Sequence, residues 1–184
     1  MMIYLSNSAL IILLLVSLAF EGMAQDRKLD VYETGQRAQS FFVELGGPGF
    51  ISANYDFRFQ NTRNAWGAKA GLGYISIDDE DYLTLPVQIN YLLGKNGHYF
   101  EMGVGASYIR NSYDRYDYQY DEQGWATEYY RGREVDNQIL GSLAFGYRKQ
   151  PVDGGFNFRA GLSPILYDGD FIPYLPYISF GYSF

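Results

Sequence analysis

The chain of 184 residues contains no cysteine and a single histidine, His98. Without cysteine it cannot form a disulfide scaffold or carry a lipid-modified cysteine behind a leader segment. Charged residues make up only 19% of the chain, and its net charge is −7. Nucleic-acid binding depends on basic groups that neutralise phosphates, so we expect no nucleic-acid partner.

Long hydrophobic runs are equally scarce. Residues 9–20 form the one apolar run, and its 12 residues are too few for a helix that needs about 20 to cross the hydrocarbon of a bilayer. Gly22 and Ala24 follow as the small residues of an A-x-A-like cleavage site. We predict a cleaved signal peptide over residues 1–24 and a flexible periplasmic lead-in over residues 25–39; a retained anchor helix is the alternative.

Glycine and aromatic residues are abundant, with 21 Gly, 19 Tyr and 13 Phe, which favours an all-β protein. From Ser40 onward apolar and polar residues alternate, so Leu83 and Leu85 share one strand face while Thr84 and Gln88 share the other. Eight segments follow this pattern: about 40–47, 50–60, 66–77, 82–93, 98–110, 135–148, 155–164 and 171–184. The spacing predicts an eight-stranded antiparallel up-and-down transmembrane β-barrel over residues 40–184.

The alternation does not by itself say which face is inside, because a lipocalin-type barrel places its apolar face inward. Three features favour the opposite arrangement. The segments have the length of tilted membrane strands, aromatic residues lie near the ends of the apolar rows, and the other face carries small residues that suit a narrow lumen. Those small residues are Gly67, Gly71, Gly73, Gly103, Gly105, Ser107, Ser142, Gly146, Gly161 and Gly181.

Six charged residues fall on the face assigned to the lumen. An unpaired charge in a narrow interior is costly, whereas a hydrogen-bonded pair is tolerated. We therefore predict an internal salt-bridge network that plugs the barrel; the alternative is a set of exposed charges on a water-facing sheet. The six residues are Glu44, Asp56 and Glu101, opposed by Arg58, Lys69 and Arg159.

The chain resembles the small outer-membrane β-barrels of the OmpA, OmpX and OmpW-like kind, and most closely the porin-like barrel domains of the Bacteroidetes type. Residues 42–47 (FVELGG), 85–94 (LPVQINYLLG), 146–148 (GYR) and the final GYSF carry this resemblance. It implies a bacterial outer-membrane location, contact with outer-membrane lipid, and short turns on the periplasmic side. It also implies that Phe180, Tyr182 and Phe184 form the signal read by the barrel-assembly machinery.

Residues 110–134 form the longest connection, and tyrosines alternate with polar residues along it. The alternation predicts that two strands continue beyond the membrane as a hairpin that turns near Gln123 and Gly124. Such a hairpin is either self-supporting or an aromatic contact surface for an extracellular glycan or protein. The aromatic residues of this connection are Tyr113, Tyr116, Tyr118, Tyr120, Trp125, Tyr129 and Tyr130.

Residues with catalytic potential are few. His98 adjoins a short turn on the expected periplasmic side, away from the outer rim where barrel enzymes place a catalytic histidine, and the acidic stretches 78–81 and 114–122 lack a calcium-loop spacing. We expect a monomeric, non-enzymatic barrel without cofactor or metal. The alternatives are a narrow channel for small solutes and an enzyme acting on outer-membrane lipid.

Overall fold

The computed structural model describes residues 37–151 and 153–184. The predicted signal peptide and residues 25–36 of the predicted lead-in lie outside the described residues, and the first strand begins at Gln39. Within the described ranges, no helix is long and apolar enough to cross a membrane.

Eight antiparallel strands close into a ring, which confirms the predicted fold class. The described residues form ten strands, of which all but β8 and β9 belong to the ring: β1 (Gln39–Gly46), β2 (Ile51–Arg58), β3 (Trp66–Ile77), β4 (Glu80–Lys95), β5 (His98–Tyr120), β6 (Ala126–Lys149), β7 (Gly155–Leu162), β8 (Ile165–Tyr167), β9 (Asp170–Ile172) and β10 (Pro176–Ser183). The ring runs from β1 through β7 in sequence order and then to β10, which pairs with β1. The short strands β8 and β9 form a hairpin that extends beyond β7 and β10 and pairs with β6.

The apolar face of each strand points outward. On β4, Leu85, Val87 and Ile89 are 42–52% exposed, whereas Thr84 and Asn90 have no exposed surface. This is the reverse of a water-soluble domain, in which apolar side chains fill the interior. The outer surface of the ring is therefore an apolar belt, and its interior is polar.

The two ends of the barrel differ in their connections. The end that carries Gln39, Ser183 and the connections after β2, β4 and β6 is called the turn end, and the opposite end is called the loop end. Asp78–Asp79, Asn96–Gly97 and Asp168–Gly169 all have positive φ at both residues, which matches the right-handed twist of the strands they join.

Strands β5 and β6 continue beyond the loop end as the predicted hairpin, here called the outer hairpin (residues 111–136). They pair as far as Tyr120 and Ala126. A bulge at Arg131 leaves that residue without a directly opposite residue in the β5 register. The Asp121 carboxylate accepts hydrogen bonds from the backbone N–H groups of Gln123 and Trp125, at 3.0 and 2.7 Å. These bonds close the turn.

Both mouths of the ring are covered. At the loop end a 3₁₀ turn, Gly47–Gly49, folds over the lumen and is buried, and the Thr84 hydroxyl donates a 3.0 Å hydrogen bond to the Gly49 carbonyl. At the turn end the connection between β2 and β3 folds inward and buries Arg63, which donates to the Gln150 carbonyl at 3.2 Å. The polar interior is thus enclosed by the chain itself.

Glycine provides the room that the interior needs. Gly161 lies opposite Gly146, and a Cβ added at Gly161 would stand 2.3 Å from the Phe145 carbonyl oxygen and 2.8 Å from the Tyr177 hydroxyl. At Gly141, on the outer face of β6, an added Cβ would meet nothing closer than 3.8 Å. The two positions therefore form a matched pair of inward and outward glycines.

We expect Gly161→Ala to lower the free energy of unfolding by about 1–3 kcal/mol, because backbone on the neighbouring strand must move to admit the methyl group. Gly141→Ala should leave it within about 0.5 kcal/mol of the wild-type value. Urea unfolding of the barrel in detergent, followed by tryptophan fluorescence, measures both. Equal stability of the two variants would contradict the packing described here.

Candidate functional site

Arg159 is the centre of the enclosed network. From β7 its Nε and Nη2 atoms donate to the two carboxylate oxygens of Glu101 at 2.8 and 2.6 Å, and Nη1 donates to Glu44 at 3.0 Å. The guanidinium also lies 4.5 Å from the ring centroid of Phe42 and 5.4 Å from that of Tyr177. A planar guanidinium suits this position, because it can donate in its own plane and stack against rings on its faces.

Glu44 joins a second base to this cluster. Lys69 Nζ donates to both Glu44 carboxylate oxygens, at 3.0 and 3.3 Å. Strands β1, β3, β5 and β7 thus each contribute one charged side chain to a chain of contacts across the lumen. The four residues are Glu44, Lys69, Glu101 and Arg159.

A second cluster surrounds Asp56, nearer the turn end. Its carboxylate accepts hydrogen bonds from Arg58 at 2.7 and 2.8 Å, from Arg148 at 2.8 Å and from the Asn90 amide at 2.7 Å. Arg148 Nη1 also lies 3.7 Å from Glu101. Arg148 therefore links the two clusters into one network.

The network holds four cations and three carboxylates, and each of these side chains is at most 4% exposed. Uncharged groups receive part of the cation hydrogen bonding. Arg58 donates to the Ala65 carbonyl at 3.0 Å, and Arg148 donates to the Ser40 hydroxyl at 3.3 Å. Because a buried charge is tolerated only when it is paired and hydrogen-bonded, the seven side chains are mutually dependent.

The structure brings together all six residues that the sequence assigned to the lumen. Sequence reasoning missed Arg148, Asn90 and Tyr177, all of which line the same interior. Their position in the alternation was a usable signal, since Arg148 is two residues from lumen-facing Gly146 and Tyr177 is two residues from lumen-facing Ser179. The amino-acid composition gave no indication that an aromatic side chain, Tyr177, would lie on the lumen face among small residues.

Little open space remains above the network. A cavity of about 10 Å³, measured as the space open to the centre of a water molecule, lies between Glu44, Lys69, Arg159, Tyr177 and the 3₁₀ turn at Pro48. This is room for about one water molecule. The described part of the lumen is therefore filled by side chains at this level.

The outer hairpin has two unlike faces. One continues the outward face of the barrel and carries Tyr116, Tyr118, Tyr120 and Tyr130, with Tyr116 and Tyr130 in edge contact at 5.7 Å between ring centroids. Trp125 at the turn is 74% exposed. The predicted aromatic set is thus divided, because Tyr113 and Tyr129 lie on the opposite face.

That opposite face is held by polar contacts. The Tyr113 hydroxyl donates to Glu134 at 3.3 Å and to Asp136 at 3.2 Å, and Arg115 donates to Glu134 at 2.8 Å. The hydrogen bond to Glu134 raises the pKa of the Arg115 guanidinium above its ordinary value. The ion pair between Arg131 and Asp117 joins the two strands of the hairpin. On the outward face, Arg133 pairs with Asp81 and fixes the base of the hairpin to β4.

The remaining predicted residues lie elsewhere. Phe180, Tyr182 and Phe184 follow one outward row and are 43–60% exposed, and Phe180 packs against Phe158 with 5.5 Å between ring centroids. His98 lies at the turn end, where its Nδ1 atom is 2.6 Å from the Tyr147 hydroxyl. Among the described residues, no group of three or more His, Cys, Asp or Glu side chains has the arrangement of a metal site.

Replacement of Arg159 by methionine removes the guanidinium that pairs with both Glu101 and Glu44. We expect Arg159→Met to cost about 3–5 kcal/mol of unfolding free energy, the usual effect of breaking a buried pair from one side. Adding Glu101→Leu should recover much of that loss, because it removes the uncompensated carboxylate. Arg115→Gln, on the exposed hairpin, is the control and should have little effect.

Urea unfolding measures these effects. Wild-type stability in Arg159→Met, or no recovery in the double variant, would contradict the central role of Arg159.

Comparison with solved structures shows a similar fold in the N-terminal β-barrel domain of Pseudomonas aeruginosa OprF. The TM-score is 0.52 at 9% sequence identity, and the alignment covers 80% of this chain and 96% of that domain. No protein-family model and no curated protein matches the sequence. The likeness shows a shared fold, the closed antiparallel β-barrel.

Proposed function

We propose that this chain is an integral outer-membrane β-barrel protein of a Gram-negative bacterium, without enzymatic activity, whose lumen is closed by ion pairs. The observation that carries the proposal is the reversed polarity of the ring. Apolar side chains such as Val87 and Val104 are more than half exposed, while Glu101 and Arg159 have no exposed surface. This combination suits a barrel with lipid outside and polar side chains inside.

The aromatic residues support the same proposal. At the turn end, Trp66 and Tyr91 contact each other edge to face at 5.1 Å, and Tyr147 lies beside Phe158. Amphipathic rings at such a level suit the boundary between hydrocarbon and headgroups. We place the turn end in the periplasm and the outer hairpin outside the cell, with outer-membrane lipid around the belt.

A closed lumen is favoured over a channel for small solutes. The network spans the interior between β1, β3, β5 and β7, and both mouths are covered by chain segments. A conducting path would require several buried ion pairs to separate together, each at a cost of several kcal/mol.

The absence of enzymatic activity is proposed from the surroundings of the histidine. His98 lies at the turn end with the Tyr147 hydroxyl as its hydrogen-bonding partner. An enzyme acting on outer-leaflet lipid would need its general base near the loop end. We accordingly propose a monomer that functions without cofactor or metal.

The outer hairpin is proposed as the surface that meets an extracellular glycan or protein. Tyr118, Tyr120 and Trp125 are 62–74% exposed, and the ion pairs on the other face hold the strands that carry them. Rigid aromatic side chains give large contact areas at low entropic cost.

Two finer points rest on the sequence resemblance. We propose that the chain is a barrel of the Bacteroidetes porin-like type, and that the row formed by Phe180, Tyr182 and Phe184 is read by the barrel-assembly machinery. The exposure of this row on β10 and beyond supports access by another protein during insertion.

The full chain expressed in a Gram-negative host should fractionate with the outer membrane. Unheated samples should migrate faster in detergent electrophoresis than heated ones, because the closed sheet resists detergent until it is heated. A soluble periplasmic protein of the same host is the fractionation control. Recovery as a soluble periplasmic monomer would refute the proposal.

Planar-bilayer recordings test the closed lumen. We expect the refolded barrel to insert without single-channel conductance, because the interior is filled by hydrogen-bonded charges. An open porin treated in the same way shows that channels are detected. Steady conductance from the folded wild-type barrel would favour the channel function instead, and a change in lipid A mass on expression would favour an enzyme.

A further inference from the structure

Three basic side chains form one cross-strand row on the outer face of the turn end, here called the basic row. His98 on β5 is paired directly with Lys95 on β4 and with Lys149 on β6, and all three residues are exposed. Neighbouring strands lie about 4.7–4.9 Å apart, so the two lysines flank His98 at about two strand spacings from each other. Two lysines on one exposed surface favour an anion between them.

Within residues 37–151 and 153–184, no carboxylate pairs with the two lysines. In the part of the chain that the structure describes, neither Lys95 nor Lys149 forms a salt bridge within 4.0 Å, whereas Arg115, Arg131 and Arg133 all do. His98 is engaged through Nδ1 by the Tyr147 hydroxyl, so Nε2 is the second hydrogen-bonding atom of this exposed ring.

Exposed charge is divided between the two ends of the barrel. Among the described side-chain carboxylates outside the lumen, only Asp153 belongs to the turn end, where the main-chain carboxylate of Phe184 also lies. The others lie at the loop end or on the outer hairpin: Asp78, Asp79, Glu80, Asp81, Asp114, Asp117, Asp121, Glu122, Glu128, Glu134, Asp136, Asp168 and Asp170. The basic row is thus a local reversal of sign in an acidic protein.

The basic row also lies where the apolar belt ends. Lys149 is paired with Phe158 on β7, and the Tyr147 ring lies 6.0 Å from the His98 ring and 6.4 Å from the Phe158 ring. Phe100, the next outward residue of β5, is exposed. An acyl chain against these rings would bring its headgroup to the level of the lysines.

We propose that the basic row binds the phosphate of an anionic phospholipid in the periplasmic leaflet. Lys95 and Lys149 supply the charge, and His98 supplies a further hydrogen-bonding group between them. The adjoining aromatic surface commits the site to a lipid rather than to free phosphate, because it offers contact for acyl chains. The inference rests on the proposed membrane location.

Native mass spectrometry of the delipidated full chain in detergent tests the proposal, with phosphatidylglycerol and phosphatidylcholine as probes. We expect wild-type protein to retain phosphatidylglycerol at about tenfold lower concentration than phosphatidylcholine, consistent with two lysines near an anionic surface. The variant Lys95→Gln/Lys149→Gln should lose this preference. Arg110→Gln/Arg131→Gln, which removes two charges at the other end, is the matched control and should keep it.

Each result has a separate meaning. An unchanged preference in the lysine variant, or its loss in the control variant, overturns the assignment to the basic row. Displacement of the lipid by millimolar inorganic phosphate overturns the commitment to a lipid. A protein that binds neither lipid and shows no heat-dependent mobility contradicts the membrane location itself, whereas equal binding of both lipids by a heat-modifiable barrel contradicts only this inference.

Discussion

The structure depends on the mutual neutralisation of charges that have no access to bulk water. Glu101, Glu44 and Asp56 point into a narrow ring, and each is stable there only because a base from another strand meets it. The pairs join residues that are far apart in sequence, for example Arg159 and Glu44. The pairing of these charges therefore depends on closure of the ring, which brings strands from distant parts of the sequence together.

Glycines on the lumen face leave the space that this network occupies. Gly67 leaves room for the Arg58 guanidinium, Gly103 for the Gln88 amide, and Gly146 with Gly161 for the Tyr177 hydroxyl. Large polar side chains and glycines thus alternate across neighbouring strands, and the same packing demand that fills an apolar core is met here by arginine, glutamine and tyrosine. With the polar side chains inside, the period of two leaves the apolar side chains on the outer face.

How much of the structure could be predicted from the sequence depended on the same two-residue alternation. Where strands are long and regular, as at residues 82–93, the alternation predicted the strand and its two faces. The alternation gave no prediction for segments that lie outside the strands. The inward fold of Gly47–Gly49 and the buried Arg63 depend on contacts with other strands, and connecting segments have no period to reveal them. The alternation could have placed Arg148 on the lumen face. Its contact with Asp56, however, follows only from closure of the ring.

The outer hairpin carries charged side chains beyond the apolar belt, and its unpaired strand edges explain their role. Once β5 and β6 leave the ring, their edges lack neighbours, and unpaired strand edges attract other chains. Ion pairs such as Arg115 with Glu134 replace the missing neighbouring strands as a source of rigidity, and the acidic surplus of the hairpin repels a second copy. The aromatic face is thus carried on strands whose own charges oppose self-association.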